Sequence, residues 1–109
     1  MSYDEGLAER LREVLADEPD LEEKRMFGGL SFLLNGNLCC GVIGDEMIVR
    51  VGPNAHEEAL GQPGVRAFDF TGRAMTGWVV VARQALDDNA ALQGWVDAGM
   101  RFAGSLPPK

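Results

Sequence analysis

The chain has 109 residues, of which 46% are hydrophobic and 25% charged, and a formal net charge of −7. That length holds one hydrophobic core and not two, and the composition is globular rather than disordered or fibrous. No apolar run approaches the roughly 20 residues that span a bilayer, and the acidic start Met1-Ser2-Tyr3-Asp4-Glu5 lacks the basic region of a leader peptide, so no membrane association and a cytoplasmic location are expected.

The acidity is localised. Residues 1–23 carry nine acids against Arg10 and Arg12, whereas eight acids and eight bases balance from Lys24 onward. An acidic surface without a basic stripe repels phosphate backbones, which argues against direct nucleic-acid binding.

Ser2-Tyr3-Asp4-Glu5 has the spacing of a capping box at a helix start, and Tyr3, Leu7, Leu11, Val14 and Leu15 follow as one apolar stripe ahead of Pro19. The period then changes. Arg25-Met26-Phe27 runs through Gly28-Gly29 into Leu30–Leu34, and Asn35-Gly36 is a strong hairpin signal because both turn positions favour positive φ. Asn37–Ile43 returns as a strand, Gly44-Asp45 turns, and Glu46–Val51 completes a meander. The glycine pair sits where a bulge or close backbone approach is expected.

Gly52-Pro53-Asn54 opens a short helix, Ala55 to Leu60. Strands are expected over 65–70 and 73–81, joined at Thr71-Gly72, and Asp87 or Asp88 caps a last helix with an apolar stripe at Leu92, Trp95, Val96, Gly99, Met100 and Ala103. The expected fold is α+β, in the order α-β-β-β-α-β-β-α. An antiparallel sheet with helices on one face makes this a two-layer α/β sandwich.

Residues that could carry chemistry are few. The adjacent thiols Cys39 and Cys40 should point to opposite sides of a strand, poorly placed to bridge each other, and fit a reducing compartment. With His56, expected on a solvated surface, they make no metal site. No nucleophile elbow or phosphate loop occurs. The expectation is therefore a protein that is not an enzyme and needs no metal or cofactor. Arg25, Arg50, Arg66 and Arg73 fall on or beside expected strands. Sharing a face, they would bind an anion or carboxylate; the competing reading pairs each with a neighbour such as Glu46 or Asp69.

Two segments together carry a resemblance: Arg25-Met26-Phe27-Gly28-Gly29-Leu30 with Asn35-Gly36 behind it, and Phe68-Asp69-Phe70-Thr71-Gly72-Arg73-Ala74-Met75-Thr76-Gly77-Trp78. Their order resembles the N-terminal domain of the TfoX/Sxy family, bacterial regulators associated with natural competence. The likeness covers residues 4–103 of a single domain spanning 1–109, with 104–109 as a tail, and is to a stand-alone copy without the family's C-terminal domain. It implies a two-layer α/β fold and no catalytic residues. Met26, Phe27, Gly28, Gly29, Gly36, Gly72, Met75, Gly77 and Trp78 are its motif positions, expected to serve folding. The function implied is a regulatory protein-interaction module that binds an unidentified protein or a second copy of itself. The alternative is a small-anion or metabolite binder using the strand arginines.

Overall fold

The structure, a computed structural model, describes residues 3–26, 28–69, 72 and 75–108. Helix α1 spans Glu5–Val14. The cap is Asp4 rather than Ser2, which lies outside the described residues: the Asp4 carboxylate accepts from the N–H groups of Gly6 (2.8 Å) and Leu7 (3.3 Å). Tyr3 does not join the helix stripe as expected. It bridges Gly44, and the Asp4 N–H donates to the Gly44 carbonyl at 2.7 Å, so the chain enters the helix from an extended segment.

Four strands follow: β1 (Leu21–Met26), β2 (Gly29–Leu34), β3 (Asn37–Ile43) and β4 (Glu46–Arg50). A 3-10 turn at Pro53–Ala55 leads into α2 (His56–Leu60), then β5 (Val65–Ala67), β6 (Trp78–Val81), a second 3-10 turn and α3 (Asn89–Gly104). The six strands form one antiparallel sheet in the order β1-β2-β3-β4-β6-β5. The fold class and layering are those expected, with one strand more. β1 is a charged edge strand whose Glu23 binds the Arg12 guanidinium of α1 through two 2.9 Å hydrogen bonds. The strands expected over 65–70 and 73–81 are shorter, Val65–Ala67 and Trp78–Val81; Thr76 and Gly77 form a turn, and the Met75 N–H donates to the Phe68 carbonyl.

All three helices lie on one face. Leu7, Leu11, Ala59, Leu92 and Val96 meet the sheet residues Phe32, Val42, Met47, Val49, Val79 and Val81 in one continuous core. The other face has a smaller cluster of Ile48, Phe68 and Val80 under Met75 and Trp78.

The cysteines correct the strand rule. Phe32 pairs with Cys40 but Leu33 pairs with Leu38, which leaves Cys39 as the extra residue of a β-bulge. A bulge breaks the alternation of side chains, so both thiols are buried and their Sγ atoms are 3.5 Å apart. Contact with Cys39 and burial hold the Cys40 thiol well above the ordinary range. The same bulge brings the backbone up to α3: a Cβ at Gly99 would lie 2.3 Å from the Cys39 carbonyl oxygen.

Candidate functional site

The described strand arginines, Arg25, Arg50 and Arg66, do not converge on one site. Arg25 is exposed on the edge strand, opposite Leu30. Arg50 and Arg66 share the face away from the helices, but each is committed elsewhere. Both oxygens of Glu46 accept from Arg66, at 2.6 and 2.7 Å, and this pairing holds the Glu46 carboxyl below its usual range despite partial burial. The Arg50 guanidinium lies 5.2 Å from the ring centroids of both Trp78 and Phe102, a cation flanked by two aromatic rings. Arg73 lies outside the described residues, as does Phe27.

The described motif residues are mostly structural. Asn35 and Gly36 have φ of 53° and 84°, as the hairpin requires. Gly28 and Gly72 occupy turns, and Gly29 passes so close to the Val42 carbonyl that no Cβ fits. Met26 is half-buried at the end of β1. Trp78 stacks on Phe68, with centroids 6.1 Å apart.

Gly77 forms a junction. Its φ is 89°, and a Cβ would come within 2.9 Å of the Gly52 backbone. Its carbonyl accepts from Val51 and Gly52, and its N–H donates to His56 Nδ1 at 2.9 Å. His56 is therefore a half-buried tie between α2 and the β6 entry, not the solvated side chain expected. Among the described residues no three His, Cys, Asp or Glu side chains converge as metal ligands would.

What the structure adds is a groove between α2 and α3, about 570 Å³ in volume. Its floor is Val51. One wall is Ala55, Glu58, Ala59 and Gln62, and the other rises from α3 through Ala91, Gly94, Trp95, Ala98 and Arg101 to Phe102 and Ser105. The groove exists because the facing positions are small: alanines at 55, 59, 91 and 98 and a glycine at 94 leave the helices unfilled between them. Trp95 and Phe102 are half-buried and present ring surface to it. Glu58 and Arg101, one on each rim, are exposed, and neither side chain makes a hydrogen bond or ion pair among the described residues.

Gly94 is informative. Nothing lies within 4 Å of a Cβ placed there, and its backbone is ordinary helix. A mid-helix glycine costs about 1 kcal/mol relative to alanine, so folding gains nothing from it. The sequence signal for this wall was the spacing Ala91, Gly94, Ala98, which shares one flank of α3 and which attention to the apolar stripe passes over.

No curated protein and no solved structure gives a significant match. Residues 13–103, nearly the whole chain, match the family described as the TfoX N-terminal domain. The chain belongs to the TfoX N-terminal domain family.

Proposed function

We propose that this chain is a non-enzymatic regulatory module of the bacterial cytoplasm that works by binding another protein through the α2–α3 groove. The observation that carries this reading is the groove itself: half-buried aromatic rings over small-residue walls, rimmed by two charges of opposite sign that pair with none of the described residues. Aromatic side chains provide large contact area and are enriched at protein interfaces. Family membership supports the regulatory setting. The anion-binding alternative is weaker because Arg66 would have to leave Glu46 and Arg50 its two rings.

Affinity capture compares the wild-type chain with Gly94→Trp, a substitution that has room at position 94 and fills the groove. The expected result is at least one protein enriched about tenfold or more by the wild type alone, corresponding to about 1.4 kcal/mol. Identical capture by both proteins would contradict the reading.

A further inference from the structure

Resting on that reading, we infer that the occupant of the α2–α3 groove is an amphipathic helix of a partner protein, with a cation on the flank facing Glu58 and a carboxylate on the flank facing Arg101. Length argues first. The α3 wall runs from Ala91 to Ser105, about 21 Å at 1.5 Å per residue. The facing wall, from Ala55 to Gln62, is about half as long, so the enclosed part takes about two turns of a helix that continues along the open flank of α3. Wall chemistry argues second. Small residues on both walls let a third helix approach closely, and its large apolar side chains at i, i+3, i+4 and i+7 would enter the unfilled volume. At the same time Trp95 and Phe102 supply rings for those anchors to meet.

Charge argues third and sets the orientation. Glu58 stands on the α2 rim and Arg101 on the α3 rim, both exposed and without side-chain partners among the described residues. An occupant lying between them satisfies both by carrying opposite charges on its two flanks. The acidic excess of residues 1–23 adds long-range attraction for a net-basic partner. A second copy of the chain is the competing occupant, with Trp95 and Phe102 as its anchors, and the oligomeric state separates the two.

The test uses a synthetic helical peptide of about 15 residues, the length of the α3 wall. It carries leucines at i, i+4, i+7 and i+11, lysines on one flank and glutamates on the other. A control of identical composition is scrambled to lose that spacing. Binding to the isotopically labelled full chain is followed by amide and indole chemical shifts. The expected result is saturable perturbation of Ala59, Trp95, Ala98 and Arg101 by the first peptide. Affinity should fall about tenfold with the scrambled control and with Arg101→Glu, an exposed site where reversal does not threaten folding.

Equal binding of both peptides, or shifts confined to α1 and β1, would overturn the inference. So would concentration-dependent dimerisation through the same residues, or saturable groove binding of the small anionic dye ANS with no peptide response. The two readings fail separately. Groove-dependent capture from cells without a peptide response retires the helix and leaves the interaction module. A specific peptide response with no groove-dependent capture retires the module and leaves a groove competent for helices.

Discussion

The two sides of α3 obey different constraints. Its inner seam, Leu92, Val96, Gly99 and Ala103, is buried against the sheet, and Gly99 sits directly over the Cys39 carbonyl. Its outer flank, Ala91, Gly94 and Ala98, faces open groove. Both sides use small residues, for opposite reasons. On the inner seam glycine is small because backbone already fills the space; on the outer flank none of the described residues fills it. One glycine is therefore essential to the fold and the other costs it stability, which separates a packing requirement from a surface kept open.

The largest expected effect lies on the inner seam. Gly99→Val drives a branched side chain into the β-bulge and should lose about 3 kcal/mol or more of unfolding free energy, at the upper end of overpacking costs, measured by chemical denaturation. A loss below about 1 kcal/mol would mean that α3 can lift from the bulge freely. Next is the junction that fixes α2 as the opposite wall. His56→Ala removes the acceptor of the Gly77 N–H and should cost about 1–3 kcal/mol, the penalty for an unsatisfied partly buried donor. Substitution by Asn at 56 would restore part of that loss if the hydrogen bond is the cause.

On the outer flank the sign reverses. Gly94→Ala should stabilise the chain by about 0.5–1 kcal/mol, because helix propensity improves and nothing is crowded. The smallest effect belongs to the far face of the sheet. Arg66 lowers the Glu46 carboxyl below its ordinary 4.5, so the pair contributes stability above that pH, and the contribution is lost as pH falls through the lowered value. Glu46→Gln should therefore cost a few tenths of a kcal/mol at neutral pH, since Arg66 is largely exposed, and the difference from wild type should vanish as pH falls through the lowered Glu46 value. A gap that widened on acidification would reverse the assignment.

Much of this architecture was legible in the chain. Asn35-Gly36 announces its hairpin because few other residue pairs accept two positive φ angles, and Gly29 marks the close approach to Val42. β1 was not legible. Leu21-Glu22-Glu23-Lys24 reads as a polar connection, and only the pairing with β2 and the Arg12–Glu23 contact make it an edge strand. The cysteine faces were misread because alternation assumes a regular ladder, and the bulge depends on how β2 meets β3. His56 was placed on the surface because its partner, Gly77, lies 21 residues away in sequence. The groove was hidden for a related reason: it is an absence of side chains between two helices that only the tertiary fold brings together.

The central expectation is that another protein occupies the outer flank of α3 in cells. A photo-crosslinking residue replacing Gln62, exposed on the opposite groove wall, tests this directly. The predicted result is a discrete protein adduct that disappears when Gly94→Trp fills the groove. No adduct, or one that persists unchanged in the filled variant, would contradict it.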